Sequence, residues 1–150
     1  MPEPALSITA VGIDVGGERK GFHAVAIKDG QYADRYTSAS VPELVRWCTD
    51  TVQAQIIAVD APCGWSADGR CRTAERALMQ KGIWCFSTPM RATALERRRQ
   101  HGLGKATDHY GWMLGGERIF TALMDHYPLC RSLPAIGQRL CFETYPHAIT

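Results

Sequence analysis

Two stretches, SITAVGID at residues 7–14 and QIIAVD at residues 55–60, run apolar side chains into one terminal aspartate. Short apolar runs bounded by turn residues read as buried strands. A carboxylate closing such a strand is costly to desolvate unless a cation sits beside it, so Asp14 and Asp60 each require a partner. The residues between them constrain the topology. After the glycine-rich turn in VGGERKG, FHAVAIK (22–28) reads as a second strand; Asp29-Gly30 is a hairpin signal, and QYADRYT alternates as a third strand. Ser40-Val-Pro-Glu43 has capping-box spacing with proline in the first turn, and opens a helix to about residue 53. A strand arriving after a helix is most easily placed parallel beside the first, so the order β-β-β-α-β predicts an α/β fold.

Residues 61–111 are rich in glycine, proline and arginine, with helical character near 72–81 and again from Thr88-Pro89 to about 100. WMLGGERIFTALMDHY (112–127) has helical periodicity apart from two glycines and is stopped by Pro128, and RLCFETY (139–145) reads as a last strand with Glu143 near its end. At 150 residues, 45% hydrophobic and 21% charged, the chain fits one domain spanning 1–150 with a core of its own. Nowhere do about 18 apolar residues run together, and the start has no signal-peptide pattern, so a cytoplasmic protein away from membranes is expected. The six cysteines are scattered without ligand spacing and read as reduced, packed thiols.

The net charge of +2 conceals an asymmetry. Residues 70–105 hold nine of the 17 basic residues against two acids, a local balance of +7, which leaves the remainder at −5. Such a segment faces either a polyanion or solvent. Arg72 and Arg76 lie one helical turn apart and can grip a phosphate beyond Asp60, or pair with Glu75 and Asp68. At most two of Arg97, Arg98 and Arg99 can face one ligand. Trp65 and Trp84 either stack on bases or pack, and His23, inside the second strand, has no assigned role.

Taken singly, Asp14, Asp60 and Glu143 are ordinary cap or loop acids. Gathered at one sheet edge they repel, since two unit charges about 4 Å apart cost about 4 kcal/mol at an effective dielectric near 20. A divalent cation resolves that repulsion, and hard oxygen ligands suit Mg²⁺ or Mn²⁺.

VGIDVGGERKGFHAVAI, IIAVDAPCGWS, the segment from Arg70-Cys-Arg72 to Arg76, and FETYPHA together resemble a family of predicted nucleases with the ribonuclease H fold, catalogued as domain of unknown function 429. The resemblance runs from about residue 8 to residue 148. It implies a ribonuclease H-like mixed five-stranded sheet in the order 3-2-1-4-5, flanked by helices. It also implies hydrolysis of nucleic-acid phosphodiesters, DNA or RNA, with two Mg²⁺ or Mn²⁺ ions. By the same resemblance Asp14 is the shared ligand, Asp60 the ligand on the fourth strand and Glu143 a third acid. Arg72, Arg76 and Lys20 are the expected substrate contacts, and Gly16 and Gly17 are expected to keep side chains away from an approaching phosphate. Family members continue past Tyr-Pro-His-Ala into a helix with late acids, whereas this sequence ends at Thr150, so the expectation is a domain lacking that helix and an incomplete metal site.

Two other readings compete. Aspartate followed by Gly-Gly also resembles the first phosphate loop of sugar kinases and actin-like ATPases, although Glu18, Arg19 and Lys20 stand where Ser or Thr is usual, and no second phosphate loop follows. The third reading is a non-catalytic nucleic-acid-binding module of the same fold, whose affinity falls with salt.

Overall fold

A computed structural model describes residues 6–101, 110–132 and 137–148. Its centre is a five-stranded sheet built from β1 (Thr9–Val15), β2 (Phe22–Lys28), β3 (Gln31–Ser38), β4 (Ile56–Asp60) and β5 (Leu140–Glu143), in the order β3-β2-β1-β4-β5. The first three strands form an antiparallel meander, and β4 and β5 add in parallel beyond β1. This is the mixed sheet and strand order that the family resemblance implies. Among the described residues four α-helices flank it: α1 (Val41–Arg46), α2 (Thr73–Gln80), α3 (Arg91–His101) and α4 (Gly111–Leu123).

Local chemistry accounts for most of the boundaries. Asp29 and Gly30 both adopt positive φ, 51° and 80°, as a two-residue hairpin turn requires. Ser40 caps α1 by accepting a hydrogen bond from the Glu43 amide at 3.4 Å. That helix is shorter than expected, because after Arg46 the chain widens into a π-helical turn, Trp47–Thr51, that buries Trp47 and Cys48. The link back to β4 is fixed by Gln55, whose side chain accepts from the Thr9 amide at 2.6 Å while its own amide donates to the Thr9 carbonyl at 2.9 Å. This pair sets the register of β4 against β1.

Val11, Ile13 and Val15 of β1, Ile57 and Val59 of β4, and Ala24 and Ala26 of β2 point to one face, where Leu44, Trp47, Ile119, Phe120 and Leu123 cover them. Tyr127 is fully buried there, and its hydroxyl donates to the Cys48 carbonyl at 3.3 Å. All six cysteines are free thiols; burial pushes the Cys48 thiol up to about 12. Among the described residues no helix is long and apolar enough to cross a membrane.

The two glycines that interrupt the α4 pattern are the points where the helix meets the sheet. A Cβ on Gly115 would stand 3.2 Å from Val15 Cγ1, and one on Gly116 only 2.6 Å from the Cβ of Ala61, the residue after Asp60. Their missing side chains let α4 lie close behind the ends of β1 and β4. Gly116→Val should therefore lower the unfolding free energy by about 2 kcal/mol through overpacking. Gly12→Ala, where an added Cβ meets nothing within 4 Å, should change it by less than about 0.5 kcal/mol. Urea denaturation of the two variants checks this, and equal effects would contradict the close approach.

Candidate functional site

In the parallel pairing of β1 with β4, Asp14 is the register partner of Asp60. Side chains alternate between faces along a strand, and since Ile13, Val15, Ile57 and Val59 face the core, both aspartates project from the opposite face. Neighbouring strands lie about 4.8 Å apart, so two carboxylates sit side by side at the carboxyl ends of adjacent parallel strands. Asp14 is exposed and Asp60 half-buried. On the other side of Asp14 the register places His23, and beyond it Thr37, whose Oγ1 lies 3.2 Å from His23 Nδ1. The four positions form a row across β4, β1, β2 and β3. Reading β2 alone gave no reason to single out His23; only its register with Asp14 does.

The third expected acid is used differently. Glu143 pairs with Val59, one position short of Asp60, so the alternation of the strand does not set it beside Asp60 on the open face. Arg72 instead donates Nη1 to Glu143 Oε2 at 2.7 Å and Nη2 to Oε1 at 2.6 Å, and the Cys63 amide donates to Oε2 at 3.0 Å. Arg72 also donates Nε to Glu75 at 3.0 Å. Glu75 is buried and accepts further hydrogen bonds from the amide of Arg72 and from the amide and hydroxyl of Thr88. Glu143 thus anchors an ion pair, and Arg72, its side chain 14% exposed, is held between two glutamates; both border a pocket with Asp60.

Charge chemistry agrees with that geometry. Burial opposes the ionisation of Glu75, but the hydrogen bonds from Thr88 and Arg72 outweigh it and leave the carboxyl below its ordinary range. At Glu143, burial is likewise outweighed by Arg72 and the Cys63 amide, and the carboxyl again lies low.

The other predicted contacts lie apart from the aspartates. Arg76 is half-exposed, 3.8 Å from Asp68, and Lys20 is exposed in the turn between β1 and β2. Neither lines the cleft of about 680 Å³ that Asp14 and Asp60 share with Trp84, Phe86, Trp112 and Tyr145. Within the turn, Gly16, Lys20 and Gly21 donate their amides to the carbonyls of Gly21, Gly17 and Gly17. A Cβ on Gly16 would collide with Lys20 Cβ at 2.7 Å and the Gly21 carbonyl at 2.8 Å. Gly16 is thus required by the turn's own packing, a requirement separate from any phosphate. The turn is also tied down by the Glu18–Arg98 ion pair.

Much of the basic segment is neutralised internally: Arg91 pairs with Glu117 at 2.8 Å and Arg99 with Glu96 at 2.7 Å. Trp65 is half-buried and donates its indole N–H to Glu117 at 2.5 Å. Arg70, Lys81 and Arg97 are exposed, without an ion-pair partner among the described residues; Lys105 lies outside them.

Fold and site together define an α/β protein with paired carboxylates at the ends of its central parallel strands, opening on an aromatic-walled cleft. The chain belongs to the protein family of unknown function DUF429, which it matches over residues 12–150. No curated protein and no solved structure matches it.

The Arg72 clamp has a measurable consequence. Because Glu75 and Glu143 ionise more readily folded than unfolded, the stability they confer is whole above the ordinary glutamate value of 4.5. It is lost as the pH falls below that toward their lowered folded values. Arg72→Ala should cost about 2 to 3 kcal/mol, at the low end for a buried pair because the Glu143 side chain keeps 26% exposure. Urea denaturation should show wild type losing stability more steeply than Arg72→Ala as the pH falls below 4.5. Parallel pH profiles would count against the clamp.

Proposed function

We propose that the protein hydrolyses phosphodiester bonds in nucleic acid with a divalent cation held by Asp14 and Asp60. The observation that carries this reading is the register of β1 against β4, which sets two carboxylates side by side on the open face of the sheet. Acids on neighbouring strands can share one divalent cation, which neutralises both charges. The donor set fits: both ligands are hard oxygens, and Mg²⁺ is commonly held by one or two carboxylates, with waters and substrate phosphate completing its shell. Among the described residues no group of three or more acids, histidines or cysteines gathers for a metal. The support is therefore for one cation on this pair rather than for two ions on three acids.

When bound, such an ion lowers the pKa of water and neutralises charge that develops on the phosphate. The chain's own part is positional. Asp14 and Asp60 are fixed by strand pairing rather than by a loop, α4 backs them through Gly115 and Gly116, and Trp112 and Tyr145 wall the cleft. Preorganisation on rigid elements is what an electrostatic site of this kind needs. The nucleotide-phosphate reading of the Gly16-Gly17 turn has less support, since three of the turn's amides are already donated within it.

A panel of single-stranded DNA, duplex DNA, RNA and RNA–DNA hybrid, incubated with Mn²⁺ or with chelator, tests the proposal. At least one substrate should be cut in Mn²⁺ and none in chelator, and Asp14→Asn and Asp60→Asn should each lower the rate about 100-fold or more. Cleavage that survives either chelation or the substitutions would falsify it.

A further inference from the structure

Gly82, Ile83, Trp84 and Phe86 line the cleft that also holds the two aspartates, and the two largest of these side chains are left in solvent. Trp84 is 69% exposed and Phe86 61% exposed. Their rings meet edge to face, with centroids 4.8 Å apart and planes at 65°. The backbone that carries them is well anchored. Gly82 and Ile83 donate their amides to the carbonyls of Met79 and Leu78, both at 3.0 Å, closing the end of α2. The Tyr145 hydroxyl donates to the Trp84 carbonyl at 2.7 Å, Cys85 between the two rings is buried, and Thr88 is bound to Glu75. A segment held on both sides could bury its aromatic residues, yet it presents them outward, and such an exposed apolar pair beside a polar site marks a binding surface.

Charge narrows the occupant. Asp14 and Asp60 stand in the same cleft, and Lys81, next to Gly82 in the chain, is exposed without an ion-pair partner among the described residues. A ligand that joins a flat apolar face to an anionic backbone matches both the rings and the exposed Lys81 beside them, and a nucleotide strand does so at every residue. Bases of a duplex are stacked on one another and cannot lie on a protein ring without unpairing.

We infer that Trp84 and Phe86 form a stacking platform for an unpaired base, so that the strand entering the Asp14–Asp60 cleft is single-stranded. The phosphate's position in this inference rests on the hydrolysis reading; the stacking itself does not.

The test measures binding apart from cleavage. Fluorescence anisotropy of labelled oligothymidylate and oligouridylate of about 12 nucleotides, and of a duplex of the same length, is followed on the Asp14→Asn/Asp60→Asn protein in chelator at low salt. At least one single strand should bind about tenfold or more tighter than the duplex. Trp84→Ala should weaken that binding about tenfold, and Trp84→Phe should restore most of it. Unchanged affinity in Trp84→Ala, or a duplex bound as tightly as the single strands, overturns the platform. The two readings fail separately. Loss of single-strand affinity in Trp84→Ala, together with cleavage that persists in Asp14→Asn, keeps the platform and removes the hydrolytic site. The reverse pattern keeps the site and removes the platform.

Discussion

The parallel pairing of β1 with β4 is the constraint on which the rest of the molecule depends. It buries the largest apolar side chains of both strands on one face and, by the same alternation, drives Asp14 and Asp60 together on the other. A slip of one residue would send either aspartate into the core. The register is held from the far end by the reciprocal hydrogen bonds of Gln55 with Thr9, and from the near end by α4, whose glycines allow contact with Val15 and Ala61. The juxtaposition of Asp14 and Asp60 is thus imposed by core packing, which is stronger than any single surface charge pair.

The ion-pair network at the edge of the sheet has a different task. Arg72 joins β5 through Glu143 to α2 through Glu75, and Glu75 in turn holds Thr88. Removing any one charge would leave a partly buried partner uncompensated. The network thereby fixes the irregular segment between β4 and α3 against the sheet, and with it the loop that carries Trp84 and Phe86. Acid and aromatic walls of the cleft are held by two independent devices: hydrophobic register on one side, a charge clamp on the other.

What the sequence discloses follows from the range of each interaction. The strands that carry Asp14 and Asp60, the Asp29-Gly30 turn and the Ser40 cap are local patterns, and they appear within a residue or two of where they are expected. The role of Glu143 is decided by Arg72, 71 positions away in the chain, and nothing in FETY marks that partner. Arg72 with Glu75 was legible as a helical-spacing ion pair, one of two readings the spacing allowed. His23 gains meaning only through its cross-strand neighbour, and Trp84 could not be told from Trp65 until one proved exposed and the other bound to Glu117. The glycines of α4 looked like flaws in a helix because the surface they touch lies on other elements.

Binding of a cation by Asp14 and Asp60 can be measured directly, without any substrate. Titration of Mn²⁺ followed by electron paramagnetic resonance should show an ion held by the wild-type protein and lost in both Asp14→Asn and Asp60→Asn, with the fold intact by circular dichroism. Mn²⁺ retained equally by either variant, or not held by the wild type at all, would contradict the account.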